Sequence, residues 1–274
     1  MTGIPSGKPL LTLTRDTESC LWIIEMQNGD DNRLTHALIN DALKPALDIV
    51  EREWRQTYRA AQAKGGSKDG GKDGRGALII TGRLDQNKFF SNGLDYQNAV
   101  KDYNFFQDTY NPLITRILTF PIPVIAALNG HTFAGALILA LACDYRVMID
   151  GKERRAWCCM NEIHFGAPWP TSLAAVARTK LTPLALRTLA LEGHRFSPDE
   201  ALAAGIVDVV ANGSSSTAVL EAAKKLALSK AETSKSGAYG IIKKELYRHT
   251  LEDIAQEYRT VMPFHEDAAA KARL

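Results

Sequence analysis

The chain of 274 residues, 45% hydrophobic and 23% charged, can bury a substantial core without disulfide staples, and its composition excludes whole-chain disorder. Its 33 basic and 31 acidic side chains leave a net charge of +2, too small to serve as an electrostatic footprint for nucleic acid. Cys20, Cys143, Cys158 and Cys159 fit neither a zinc knuckle nor a secreted disulfide framework, so reduced thiols and no metal site are expected.

In chain order, the opening MTGIPSGKPLLTLTRD has no apolar stretch of secretory length, and an intracellular protein is expected. LWIIEM (Leu21 to Met26) reads as the first clear strand. Thr35 can cap a helix running through DALKPALDIVEREWRQTYRAAQA, whose apolar residues recur at three and four spacing; Pro45 sits inside that helix or restarts it. Gly65 to Gly76, GGSKDGGKDGRG, is glycine-rich and charged and reads as a surface loop, since it lacks the lysine-serine or lysine-threonine ending of a phosphate-binding loop. ALIITG (Ala77 to Gly82), VIAALNG (Val124 to Gly130) and YRVMID (Tyr145 to Asp150) follow as strands, and the alternation argues for α/β layering with many parallel strands. The longest apolar run, Ala134 to Cys143, is too short for a bilayer, and no membrane insertion is expected. From about Thr182 the pattern turns helical, which divides the chain into a core over 1–211 and a helical region over 212–274. The chain ends Ala272-Arg273-Leu274, the small, basic, leucine order of a peroxisomal address.

Three segments can carry chemistry. KFFSNGLDY (Lys88 to Tyr96) follows a strand, and its glycine can bring the next amide close to a ligand; taken alone it is equally an Asn-Gly turn. ALNGHTFAGALILALACDYRVM passes from a strand through small residues into a helix that is apolar on every side. A helix of that kind is buried, with the positive end of its dipole facing inward; the small residues also suit close packing alone. WCCMNEIHFGAPWP places one acid, Glu162, among apolar neighbours, where desolvation raises a carboxyl pKa toward the range of a general base; taken alone, a strand-end glutamate is more often an exposed salt-bridge partner. His164 would share its strand face if the segment is extended, and a Cys158 or Cys159 nucleophile paired with histidine lacks an orienting third group.

Together these segments, in this order, resemble the crotonase or enoyl-CoA hydratase/isomerase superfamily over about Leu10 to Leu274. FFSNGLDY is similar to the family's F-x-x-G-x-D loop, NGHTFAGALILALACDYRV to its buried-helix signature ending in C-D-Y-R, and MNEIHFG to the segment carrying its second acid. The resemblance implies an α/β crotonase/ClpP-like spiral of β-β-α units with two sheets and a C-terminal helical region used in trimer assembly. It implies oxyanion donors at the backbone amides of Leu94 and Gly135, a catalytic Glu162, and substrate contacts from Ser91, Asn92, Gly93, Asp95 and Ile138. Arg33 is a further candidate for coenzyme A contact. Family hydratases carry another glutamate three residues after the glycine matched to Gly135, and this chain has Ile138 there. A single glutamate suffices to move one proton from C2 to C4, so the resemblance implies a Δ3,Δ2-enoyl-CoA isomerase similar to peroxisomal plant and fungal members. Hydration or another acyl-CoA reaction is the alternative. The implied partners are an acyl-CoA thioester, further copies in a homotrimer or hexamer, and the peroxisomal import receptor; no cofactor is called for beyond the coenzyme A of the substrate.

Overall fold

The computed structural model describes residues 1–16, 18–63, 74–256 and 261–273. β1 (Thr2–Ile4) and β2 (Leu11–Asp16) precede β3 (Leu21–Met26), which coincides with the expected strand. Thr35 opens the following helix as expected, its Oγ1 accepting the Leu38 amide at 3.1 Å. The chain first makes a wide π-helical turn over Leu38–Leu43 and then the regular α1 (Lys44–Ala63), with Pro45, which has no N–H to donate, at the junction.

Three β-β-α units follow. The first is β4 (Ala77–Thr81), β5 (Phe89–Ser91) and the helices α2 (Tyr96–Ala99) and α3 (Asn111–Leu118). The second is β6 (Val124–Leu128), β7 (His131–Phe133) and α4 (Gly135–Ala142). The third is β8 (Tyr145–Met148), β9 (Cys158–Cys159) and α5 (Thr171–Lys180). After α6 (Pro183–Leu191) and α7 (Pro198–Ala203), β10 (Val209–Val210) is the last strand, followed by α8 (Ser216–Ala231), α9 (Tyr239–Leu246), α10 (Arg248–Ala255) and α11 (Pro263–Arg273).

Each unit gives its first strand to a seven-stranded sheet, ordered β1-β2-β3-β4-β6-β8-β10, and its second to a three-stranded sheet, β5-β7-β9. From β3 onward the large sheet is parallel, as is the small one, so every unit must cross over through a helix. Both faces of such a sheet are covered, which is why β4 and β6 read as continuous apolar runs and are wholly buried. Every residue of α4 is buried too, as its all-round apolar sequence requires. The last third is helical as expected, with α8 packed on β4 and β6 through Val219, Ala223 and Ala227 as a layer of the main core. Of the expected Gly65 to Gly76 loop, residues 65–73 lie outside the described residues; the Gly74 carbonyl accepts Trp54 Nε1 at 3.1 Å. No helix among the described residues is long and apolar enough to cross a membrane.

Candidate active site

The small sheet positions the candidate residues because its strands run directly into the turns that carry them. β7 hands over to α4 through Ala134, and β9 leads to the turn bearing Glu162; Ala134 N donates to Cys159 O at 2.9 Å and ties the two exits together. Ala134 holds a backbone (φ +51°, ψ −132°) that L-residues rarely adopt. Gly93, at φ +85°, packs against it so closely that an added Cβ would lie 2.9 Å from Ala134 Cβ. Only glycine permits that approach.

Two amides are left over at this corner. Leu34 forms a parallel bridge with Leu94: Leu34 N donates to Gly93 O at 2.8 Å and Asp95 N to Leu34 O at 3.3 Å. That pattern uses both polar groups of Leu34 and turns the N–H of Leu94 away. Gly135, first residue of α4, has no preceding turn to accept its amide. Among the described residues neither amide donates a hydrogen bond, and a Cβ on Gly135 would come within 2.8 Å of Leu94 Cγ. The corner thus presents two backbone donors with no internal acceptor.

Glu162 begins a single 3-10 turn, Glu162–Phe165, closed by Gly166 in the left-handed region. The segment is not extended, so the condition for His164 to lie on one strand face with Glu162 is not met. His164 does not share the glutamate's face; it lies against Gly193, with Nε2 3.4 Å from its carbonyl oxygen. Glu162 is only 7% exposed, and burial pushes its carboxyl up to about 7, an effect only partly offset by hydrogen bonds from its own backbone and the Trp169 side chain. Its Oε2 has no partner. A buried carboxyl poised near neutrality with one free oxygen is equipped to take and return a proton.

Glu162 and Leu94 open into one cleft of about 700 Å³, walled largely by apolar side chains such as Val100, Phe106, Leu173, Ile254 and Met262. The C-terminal region thus supplies one wall, and Asn111 Nδ2 reaches across to Ile254 O at 3.4 Å. The second acid in the lining, Asp102, is held below the usual carboxylate range by its hydrogen bond from His36 Nε2 at 2.8 Å.

Other expected contacts are used within the protein. Ser91 Oγ donates to Asn32 O at 2.6 Å, Asn92 Nδ2 to Asp31 Oδ2 at 3.0 Å, and Asp95 Oδ2 accepts Asn98 Nδ2 at 2.6 Å; these residues build the loop and do not wall the cleft. Ile138, expected to touch substrate, is wholly buried in the core and also absent from the cleft wall, because α4 presents no face to solvent. Arg33 pairs with Asp31 at 3.0 Å and donates from Nη1 to Leu94 O at 3.2 Å. Burial pushes the Cys158 and Cys159 thiols up to about 12 and about 11, so neither is a nucleophile at neutral pH. Among the described residues no group of three or more candidate ligands is gathered for a metal ion. Sequence reasoning missed Tyr110, Trp169 and Asn111. The aromatic-rich run DYNFFQDTYNP (Asp102 to Pro112) was the available signal for two of them.

The sequence profile of the enoyl-CoA hydratase/isomerase family matches residues 71–271. Enoyl-CoA delta isomerase 3 of Arabidopsis thaliana is 36% identical over 243 residues, covering 85% of this chain and 91% of the relative. Peroxisomal enoyl-CoA delta isomerase 1 of the same plant is 32% identical over 245 residues, covering 88% and 91%. Among solved structures, an enoyl-CoA hydratase from Mycobacterium marinum superposes with a TM-score of 0.65 at 24% identity, covering 89% of this chain and 94% of that one, a likeness of fold.

Proposed function

Because the chain belongs to the enoyl-CoA hydratase/isomerase family, we propose that it moves the double bond of a 3-enoyl-CoA to the 2-position. The observation that carries this reading is the buried Glu162, near neutrality in an apolar cleft lined by Leu94, whose amide is unused and which packs against Gly135, whose amide is unused too. The thioester oxygen would lie between the amides of Leu94 and Gly135. Glu162 takes a proton from C2, and the electron pair of that C–H bond spreads over the thioester oxygen and C4 as a dienolate. The same carboxyl returns the proton to C4, leaving the double bond between C2 and C3 and the glutamate ionised. Each amide gains strength as charge develops on the oxygen, an effect worth roughly 3 to 4 kcal/mol per donor. A carboxyl near 7 is ionised often enough to accept at neutral pH and acidic enough to give the proton back. The step as proposed draws on no metal, nicotinamide or flavin.

Hydration of a 2-enoyl-CoA is the second reading, and the feature that favours it is Asp102, another acid on the same cleft. Against it, Asp102 is engaged by His36 and the helix position that would hold a second buried glutamate is Ile138. Purified protein assayed on 3-enoyl-CoA and 2-enoyl-CoA, followed by absorbance of the conjugated thioester, decides between them. Isomerisation should dominate, and Glu162→Gln should lower it by at least about 10² while acyl-CoA still binds. Hydration equal to isomerisation, or near-normal turnover in the variant, overturns the reading.

Two further properties are proposed with it. Exposed apolar side chains at Ile163, Phe165, Leu184, Leu191, Ile241 and Leu246 support assembly as a homotrimer or a dimer of trimers in place of a monomer. Sedimentation at micromolar protein checks this, and a monomeric mass refutes it. Peroxisomal residence is supported by the Ala272-Arg273-Leu274 sequence and by the peroxisomal relative; Ala272 and Arg273 are exposed, while Leu274 lies outside the described residues. Masking these three residues with a C-terminal fluorescent protein should leave the fusion cytosolic.

A further inference from the structure

The two donor residues share a feature that their amides alone do not reveal: each has its own carbonyl held by a side chain from a separate element. Arg33 Nη1 donates to Leu94 O at 3.2 Å, and Tyr110 Oη donates to Gly135 O at 2.6 Å. Asp31 Oδ2 orients the guanidinium from 3.0 Å and takes Asn92 Nδ2 at the same distance, so the arginine is braced against the loop it holds. Tyr110 is wholly buried, and its hydroxyl sits where a Cβ on Gly135 would meet it at 3.4 Å. Holding a residue's carbonyl anchors the peptide plane on one side of its Cα and so restricts, through that shared Cα, the plane that carries its N–H. An oxyanion donor is effective only if already aimed before charge appears.

We propose that Arg33 and Tyr110 are positioning residues that aim the Leu94 and Gly135 amides at the thioester oxygen. This rests on the oxyanion reading given under the proposed function. Both act through a backbone carbonyl. Arg33 therefore serves the loop and not the phosphates of coenzyme A.

The test uses the full chain, with Tyr110→Phe, which keeps the ring and removes one oxygen, and Arg33→Gln. Glu162→Gln serves as the reference. The first readout is the infrared carbonyl stretch of a bound saturated acyl-CoA labelled with 13C at the thioester, which reports hydrogen bonding to that oxygen without any turnover. Wild type and Glu162→Gln should both lower the stretch relative to free thioester. Tyr110→Phe and Arg33→Gln should each return it part of the way and reduce kcat about tenfold, less than loss of a whole donor. KM and the Kd for acyl-CoA should stay within about twofold, and the pH inflection of kcat should not move. A stretch unchanged from wild type in both variants overturns the proposal. So does an equal loss of kcat and acyl-CoA affinity accompanied by a lowered melting temperature, which would mark a merely structural role. For Arg33, weakened acyl-CoA binding with unchanged kcat overturns the assignment and makes it a coenzyme contact. A wild-type protein that lowers the stretch but does not isomerise breaks the isomerase reading and leaves the positioning roles standing.

Discussion

At its C-terminal end α4 gives the Cys143 carbonyl to Arg146 Nη1 at 3.2 Å and Lys180 Nζ at 3.4 Å, whereas at its N-terminal end the Gly135 amide meets no acceptor. Just beyond the C-terminal end, Asp144 accepts Val124 N at 2.8 Å and Lys243 Nζ at 2.9 Å, with Asp144 and Lys243 both buried. Cations near a helix C-terminus suit its dipole, and a buried ion pair survives only when its remaining hydrogen bonds are made. Here they are: Lys243 also donates to Ile117 O at 3.2 Å. One end of the helix is closed to hold the C-terminal helices on the core. The other is left incomplete, as the proposed site for developing negative charge requires.

Breaking the closed end should have the largest effect. Lys243→Met leaves Asp144 buried without its cation and should cost about 3 to 5 kcal/mol of stability, read by denaturant unfolding. The folded fraction should keep kcat within about twofold, since the pair lies at the far end of α4. A large fall in kcat without destabilisation would mean the two ends are coupled.

The open end should respond in the opposite way. Gly135→Ala pushes its Cβ against Leu94 Cγ at 2.8 Å and displaces both donors, so kcat should fall about 10² or more. Its melting temperature should barely change, because the clash is with a side chain that can move. Loss of stability in place of activity would refute the division of roles.

The pH dependence sharpens the same contrast. Glu162 is raised from 4.5 to about 7 by burial, so kcat should rise with pH through about 7 as the base ionises. For stability the sign is reversed. Between 4.5 and about 7 the folded state holds a proton the unfolded chain has released, so stability falls as pH rises across that window, by roughly 3 kcal/mol at most. His131, lowered to about 4 by burial and by Arg154, Arg195 and Lys88, contributes the opposite slope between 4 and 6.5. Subtracting the Glu162→Gln profile from that of wild type therefore isolates the glutamate. The difference should flatten above pH 7, and a difference that does not depend on pH would show Glu162 to be ordinary.

The smallest effect expected is none. Cys143, pushed up to about 12 by burial, is as inert as Cys158 and Cys159, so thiol alkylation at neutral pH should leave activity intact. Inactivation that tracks modification of Cys158 or Cys159 would contradict the placement of both thiols in the core.

Where one segment's composition left a single physical solution, the sequence by itself determined the outcome. LWIIEM and the apolar β4 and β6 had to be buried strands, and an eight-residue helix apolar on all sides had to be core, with its first amide turned inward. A lone acid among apolar neighbours left an exposed ion pair and a buried base both open, and the family resemblance made Glu162 the candidate. The tertiary structure decided what depends on residues far apart in the chain. Whether WCCMNEIH is extended was open from the sequence; Glu162 turns in a 3-10 loop closed by the left-handed Gly166, and nearby Gly193 makes room for His164, which no periodicity announces. Ile138 was expected at the cleft and lies in the core instead, because only packing says which side of a buried helix meets the cleft. Lys243 and Asp144 are 99 residues apart, and Arg33 and Leu94 are 61 apart. Such pairs are drawn together by the spiral and leave no trace in either local sequence, since hydrophobic patterning fixes which residues are buried but not which polar groups then find each other.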